Sequence, residues 1–156
     1  EQFVMGPFFE PTDEMRRFQI ASPSIIGLRG VQASYEMIEE AGIKAIAEKA
    51  AKGTDMMLEL FDAWLAPLGF GLITPREAHK RGGHITVTHP EAKRIAAALR
   101  KYANVVPDYR VPNGIRLAIA PLPTSYTEVW DGFMRIKESA EREDYKKIQD
   151  NGSRVT

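Results

Sequence analysis

The hydrophobic positions divide the chain of 156 residues into an irregular start, two helices and a mixed second half. Apolar residues over 25–38 recur at near-helical spacing, and Gly42 interrupts that pattern. A second broad apolar stripe predicts a helix over 43–66, which ends at Pro67 and Gly69. Two long helices are therefore expected before the first strand.

The second half alternates between short strand patterns and helical ones. Pro107 places the third strand at a sheet edge, because proline cannot donate to a ladder. Ser125 followed by Glu128 predicts a capping box for the last helix. The predicted strands are 70–74, 84–88, 105–110 and 115–120, and the predicted helices are 91–102 and one that starts at 125. This order predicts an α+β fold: a small, mainly antiparallel sheet covered by helices, with a long N-terminal linking helix.

Three segments are expected along the chain. Residues 1–22 carry four phenylalanines with Gly6, Pro7 and Pro11, and predict a lead-in segment that docks on a large domain outside this chain. Residues 23–138 are predicted to form the small domain, and residues 139–156 a charged tail. Because the sequence starts at Glu1 and not at methionine, we expect it to be a piece of something longer.

Composition narrows the class of protein. Lys plus Arg equals Asp plus Glu at 21 each, so no net charge attracts the chain to nucleic acid or to an anionic membrane. There is no cysteine, which excludes disulfides and thiolate chemistry and fits a cytoplasmic location. No apolar run approaches the length of a membrane span. We expect neither nucleic acid nor membrane as a partner.

Arg116 is the most informative residue. It lies in an alternating strand whose other face holds Ile115, Leu117 and Ile119, and its own side carries only small alanines. A guanidinium in mid-strand is costly to bury without a partner, and its planar fork suits a carboxylate. The sequence leaves two interpretations open: Arg116 binds the carboxylate of an amino-acid substrate, or it pairs with an internal acid or faces water.

A second candidate site is Ser22-Pro23-Ser24, which reads as a helix start with Ser22 as the N-cap. Hydroxyls and free backbone N–H groups at a helix N-terminus suit an anion such as phosphate. A plain N-cap without a ligand is the alternative.

Other polar residues give weaker signals. His79, His84 and His89 are spaced by five, and no carboxylate or cysteine completes a metal site, so we expect surface or capping histidines and no metal. Arg76, Lys80 and Arg81 form a basic loop without interleaved aromatics, which predicts a solvated segment rather than a nucleic-acid site.

Four stretches, found together in this order, resemble the C-terminal part of kynureninase. They are residues 17–26, 81–92, 107–116 and 120–126, within a resemblance that runs from about residue 3 to 137. The resemblance implies a pyridoxal-phosphate-dependent hydrolase of the aspartate-aminotransferase-like fold, active as a homodimer. It also implies hydrolytic cleavage of L-kynurenine, or its 3-hydroxy form, to an anthranilate and L-alanine.

The resemblance assigns roles by position. Arg116 matches the arginine that binds the substrate α-carboxylate, and Ser22 matches a cofactor position that is Asn or Thr in family members, near the phosphate. Ser24 replaces a family proline, and Pro123 stands where the family often has tyrosine. These departures bear on cofactor affinity and on substrate preference.

The resemblance also implies what lies elsewhere. The Schiff-base lysine, the partner of the pyridine nitrogen and the ring-stacking residue belong to the family's preceding large domain, so no residue of this chain is expected to be catalytic and the chain alone is expected to be inactive. Two alternatives stay open: a cysteine-desulfurase-like or other aminotransferase-fold enzyme, and a non-catalytic domain that binds small anions.

Overall fold

The computed structural model describes residues 6–8, 11–19 and 21–149. They fall into two compact units, one up to Glu40 and one from Ala41 onward. The sequence predicts a boundary after residue 22. The division lies later, because a helix runs without a break over Ile25–Ala41. The helix ends just before Gly42, whose φ of 79° favours glycine.

The first unit contains a 3-10 helix, Met15–Phe18, and helix α1, Ile25–Ala41. α1 buries no residue, and its large apolar side chains are exposed: Ile25, Ile26, Leu28, Val31, Tyr35 and Met37. Its polar side carries a chain of hydrogen bonds from Arg29 to Gln32 and from Gln32 to Glu36. Of the lead-in aromatics, Phe8 and Phe18 are exposed, and Phe3 and Phe9 lie outside the described residues.

The second unit opens with helix α2, Ile43–Leu60, whose inner side is buried in the core. The helical path continues as a π-helical turn, Phe61–Leu65, and a 3-10 turn, Ala66–Leu68. The predicted extent of this helix is therefore confirmed, but its last part is not α-helical. Gly69 ends it with a φ of 87°.

Four antiparallel strands form one sheet in the order β1-β2-β4-β3, which confirms the predicted α+β class. The strands are β1 Gly71–Leu72, β2 His84–Thr88, β3 Asp108–Arg110 and β4 Gly114–Ala118. β3 lies at an edge, as Pro107 predicts. The outer strands are shorter than the patterns suggested, since only a few of their residues find a partner on the central pair.

The two sides of the sheet differ in chemistry. Ile85, Val87, Ile115 and Leu117 are buried on the side that packs against α2 and helix α3, Ala92–Tyr102. Helix α4, Tyr126–Glu141, packs against both of these helices. The other side of β2 and β4 carries half-buried or exposed residues: His84, Thr86, Thr88, Arg116 and Ala118. The polar side is therefore where a site on this sheet must lie.

The segment after α4 packs on the second unit. Ser139 and Asp144 are buried, and a 3-10 turn, Asp144–Lys147, contacts α3. Arg94 donates to the carbonyl of Ile148 over 3.1 Å. The sequence predicts a charged tail from residue 139, whereas α4 continues to Glu141 and the carbonyls of Lys146 and Ile148 accept hydrogen bonds from Arg94 of α3. The predicted frayed end lies outside the described residues.

Candidate carboxylate-binding site

Arg116 lies at the centre of β4, opposite Thr86 on β2 and opposite Asp108 on β3. Its Nη2 atom donates a hydrogen bond to Oδ2 of Asp108. The side chain keeps 39% of its surface exposed. The structure thus shows the ion-paired alternative, with one nitrogen of the fork engaged. Among the described residues, Nε and Nη1 of Arg116 have no hydrogen-bond partner.

Asp108 is shared between two arginines. Arg110 donates from Nη2 to the same Oδ2 atom over 2.5 Å. Partial burial acts to raise the pKa of Asp108, but the hydrogen bonds and charges of Arg110 and Arg116 together hold that pKa below its ordinary value. The carboxyl group is ionised at neutral pH, and two guanidiniums facing one carboxylate leave this cluster with one net positive charge. The cluster is therefore suited to one further carboxylate.

Small residues surround the cluster on β4. Gly114 and Ala118 flank Arg116 on the same side of the strand, two residues away in each direction. A Cβ atom at Gly114 would lie 3.2 Å from Cβ of Arg110 and 3.3 Å from Cγ2 of Thr86. The missing side chain of Gly114 allows Arg110 and Thr86 to approach on one side of Arg116, while Ala118 on the other side is small and exposed.

The helix start in the first unit differs from the predicted one. Ser24, not Ser22, accepts the capping hydrogen bond, from the backbone N–H of Gly27 to Oγ over 3.3 Å. The Ser24 carbonyl also accepts from Leu28. Ser22 lies two residues before this cap, is exposed, and makes no hydrogen bond within the part of the chain that the structure describes. The interpretation of Ser22 as the N-cap is wrong, and its hydroxyl is left available.

The expectation of a solvated basic loop is wrong for Arg81. Its side chain is 1% exposed, and Nε donates to Oγ1 of the buried Thr54 over 3.1 Å. Its two remaining nitrogens donate to the carbonyl of Arg76 and to a carboxylate oxygen of Asp55. Sequence spacing missed this burial because the partners come from α2, more than twenty positions earlier.

The other two cations of that loop are neutralised at the surface. Arg76 makes a bidentate pair with Asp62, both distances being 2.7 Å, and Lys80 pairs with Glu77 over 2.8 Å. The loop therefore presents paired charges rather than a basic patch.

His89 has the capping role that the sequence allowed. Its Nδ1 atom accepts a hydrogen bond from the backbone N–H of Glu91 over 3.0 Å, just before α3. Burial against Phe70 and Tyr145 lowers the pKa of His89, and the charge of Glu91 opposes this shift only in part. His79 and His84 are exposed. No group of acidic or histidine side chains suited to a metal ion occurs within the described residues.

Sequence reasoning overlooked Asp108 and Arg110, although a signal was present. A hairpin that turns at residues 111–113 pairs Arg110 with Gly114 and, two residues further out, Asp108 with Arg116. The sequence patterns show that the two strands are neighbours joined by a short turn, but they do not show which residues form the turn, and the register that follows from it places the acid beside the arginine.

Comparison with known proteins gives the family. A family model described as "Kynureninase C-terminal domain" matches residues 46–136, which include the whole sheet and the Asp108–Arg116 pair. The chain belongs to the kynureninase family. This match favours the kynureninase resemblance over the cysteine-desulfurase-like alternative.

Curated relatives agree with the family match. The chain is 40% identical over 149 residues to a kynureninase of Bacillus thuringiensis subsp. konkukian, with 96% of this chain and 35% of the relative covered. It is 37% identical over 148 residues to a kynureninase of Geobacillus thermodenitrificans, with 95% and 34% covered. The chain thus spans about a third of the length of these relatives. Separately, no helix in the described ranges has the length and apolar character to cross a membrane.

Proposed function

We propose that this chain acts as the C-terminal portion of a kynureninase-type hydrolase that uses pyridoxal 5'-phosphate. The reaction is the cleavage of L-kynurenine, or of 3-hydroxykynurenine, to anthranilate, or 3-hydroxyanthranilate, and L-alanine. The proposal is supported by the family match together with one observation. The cluster of Asp108, Arg110 and Arg116 carries a net positive charge on the polar side of the sheet, with donors of Arg116 unused.

Arg116 is the residue proposed to bind the substrate. The second hydrogen of Nη2, together with the unused donor on Nε or Nη1 beside it, can hold the α-carboxylate of an amino acid through two parallel hydrogen bonds. Fixing the carboxylate fixes the rotation about the Cα bonds, so that the bond to be broken is oriented for reaction. Asp108 does not prevent this, because it accepts only one of the two hydrogens of Nη2.

The helix start fits the phosphate of the cofactor. Ser22 offers an exposed hydroxyl, and the first turn of α1 offers backbone N–H groups at the positive end of a 17-residue helix. Ser22 and this turn are proposed to hold the phosphate. The bound cofactor supplies an electron sink for the reacting carbon atom. The residues that carry and tune the cofactor are proposed to lie in a large domain outside this chain, so the chain alone is expected to be inactive.

Assembly and location are proposed on the same basis. The exposed apolar side chains of α1 suit contact with the large domain or with a second subunit of a homodimer. The absence of cysteine fits a cytoplasmic enzyme.

Substitution of Arg116 tests the proposed substrate contact. In the complete enzyme that contains this chain, we expect Arg116→Ala to lower kcat/KM for L-kynurenine roughly 10- to 100-fold, because a charge-assisted pair of hydrogen bonds is lost. Binding of pyridoxal phosphate, followed by its absorbance, should not change. Arg135→Ala is the matched control, since Arg135 is exposed on α4. Unchanged kcat/KM in the Arg116 variant would rule out the contact.

Substitution of Ser22 tests the proposed cofactor contact. We expect Ser22→Ala to weaken binding of pyridoxal phosphate about fivefold, the effect of one lost hydrogen bond. Equal affinity of the variant and the parent enzyme would reject this role.

If the isolated chain shifts its melting temperature with simple metabolite anions, yet the complete enzyme does not cleave L-kynurenine, the non-catalytic anion-binding alternative is the better description.

A further inference from the structure

The way in which Arg116 is held sets it apart from an ordinary surface arginine. A long side chain is usually kept in place by packing of its methylene groups. Here the neighbours along the strand, Gly114 and Ala118, are small, while Thr86 lies opposite on β2 and the side chain is 39% exposed, so its methylene groups are partly covered. Within the described residues, Asp108 is the only hydrogen-bond partner of the guanidinium. Packing therefore places the stem, and the one directional contact on the fork comes from that carboxylate.

We propose that Asp108 is a positioning residue for substrate binding, which holds Nη2 of Arg116 so that the remaining donors face the carboxylate of an amino-acid ligand. This inference rests on the proposed function of Arg116. An Nη atom carries two hydrogens, so Asp108 and a ligand carboxylate can be bound at the same time. A guanidinium that is already oriented loses less conformational freedom when the ligand arrives, and binding is tighter for that reason.

The charge balance argues against the opposite role, in which Asp108 competes with the ligand. Arg110 donates to the same oxygen of Asp108 over 2.5 Å, so the carboxylate is stabilised by a second cation when the ligand draws on Arg116. The cluster has one positive charge in excess, and a bound carboxylate makes it neutral. The ligand thus completes the ion network, and Asp108 need not move away.

The substitution Asp108→Asn distinguishes positioning of Arg116 from competition with the ligand, because the two roles predict opposite changes in substrate binding. It removes a negative charge, so charge alone would strengthen the binding of an anionic substrate. Loss of positioning weakens it instead. In the complete enzyme we expect KM for L-kynurenine to rise roughly three- to tenfold and kcat to change less than twofold. Asp131→Asn, an exposed change on α4, is the matched control and should leave both constants unaltered. A lower or unchanged KM in the Asp108 variant would overturn the proposal.

A second measurement reads the orientation directly, without turnover. In the 156-residue chain, NMR of the arginine side chains should show slow rotation of the Arg116 guanidinium, and faster rotation in Asp108→Asn. Equal rotation in both proteins would contradict the proposal whatever the kinetics show. The two hypotheses remain separable: if Arg116→Ala raises KM and Asp108→Asn does not, positioning fails while the substrate contact stands. If Arg116→Ala has no effect, the substrate contact itself fails.

Discussion

Arg81 and Thr54 form a buried polar contact that joins the loop before β2 to α2. Nε of Arg81 lies 3.1 Å from Oγ1 of Thr54, and Thr54 in turn donates to the carbonyl of Ala50 over 3.0 Å. The other two guanidinium nitrogens are bound by Arg76 and Asp55, so that every part of the fork has a partner. A buried cation is tolerated here because none of its donors is left unsatisfied.

Replacement of Arg81 by lysine should therefore destabilise the fold. A single ammonium group cannot reach Thr54 and Asp55 in the fork geometry, and at least one buried polar group loses its partner. We expect the free energy of unfolding to fall by about 2–4 kcal/mol in urea denaturation. Arg135→Lys, at an exposed position on α4, should change it little. If both variants unfold at the same urea concentration, the contact has no structural importance.

Gly53 and Gly132 are helical glycines for which alanine should have opposite effects. A Cβ at Gly53 would lie 2.6 Å from Cδ1 of Ile119, a residue buried to 4% exposure, whereas a Cβ at Gly132 meets nothing within 4 Å. We expect Gly53→Ala to cost about 1–3 kcal/mol through overpacking. Gly132→Ala should stabilise the protein by about 0.5–1 kcal/mol through helix propensity.

A double variant tests the cause at Gly53. Ile119→Val removes the Cδ1 atom that the new methyl group would meet. The double variant should therefore lose less unfolding free energy than the losses of Gly53→Ala and Ile119→Val added together. If the stability losses of the two single variants, measured by thermal denaturation, simply add in the double variant, the contact with Ile119 is not what destabilises Gly53→Ala.

The capping box of α4 links stability to the ionisation of Glu128. Ser125 Oγ accepts from the Glu128 N–H over 3.1 Å, and the Glu128 carboxylate accepts from the Ser125 N–H over 2.7 Å and from its hydroxyl over 2.8 Å. The backbone N–H of Ser125, and then its hydroxyl, lower the pKa of Glu128. Ser125→Ala should cost about 1 kcal/mol and raise that pKa toward its ordinary value.

The sign of the pH effect follows from the lowered pKa of Glu128. Its stabilising contribution is complete above the unfolded pKa, near 4.5, and is lost as the pH falls through the folded value. NMR titration of the Glu128 carboxyl group measures the shift in both proteins. Thr127→Ala, at an exposed neighbouring position, is the control. An identical Glu128 titration in the parent and in Ser125→Ala would contradict the prediction.

Asp144 should make the second unit sensitive to acid. Its side chain is 3% exposed and accepts from Lys147 over 2.6 Å and from Arg142 over 3.1 Å. The hydrogen bond from Lys147 is the first cause that lowers the pKa of Asp144, and Arg142 adds to it against the opposing effect of burial. The stabilisation is present above the ordinary pKa of 3.8 and is lost as the pH falls through the lowered value.

We therefore expect Asp144→Asn to lower the melting temperature at pH 6 and to lose this effect progressively below about pH 4. Thermal denaturation of both proteins across that range measures the difference. A constant difference at all pH values would show that the charge of Asp144 is not responsible.

Local patterns were informative where they act over short distances. The break at Gly42, the edge position that Pro107 imposes and the capping box of Ser125 are each decided by a few neighbouring residues, and the structure confirms all three. The N-cap of α1 was placed two residues early, because Ser22 and Ser24 are equivalent as residue types. Only the path of the backbone decides which serine faces the first free N–H groups.

Charged residues were harder to interpret. Arg81 was expected to be solvated, yet it is buried, because Thr54 and Asp55 of α2, more than twenty positions earlier, bind its guanidinium. Asp144 is buried as well, although its ion-pair partners Arg142 and Lys147 are close to it in sequence. Burial of a charge depends on whether all its hydrogen bonds are made, and that is a property of the packed structure.

The spacing of residues was enough to predict the α+β order of elements and the alternation that turns Arg116 away from the core, and four stretches of sequence were enough to predict the family. Each of these predictions depends on the order of residues along the chain and not on contacts between distant residues. The tertiary structure alone decided that Asp108 and Arg110 share the environment of that guanidinium, because the hairpin register sets which residues lie opposite each other. A one-residue shift of β3 would turn Asp108 to the other face of the sheet and leave Arg116 without its partner.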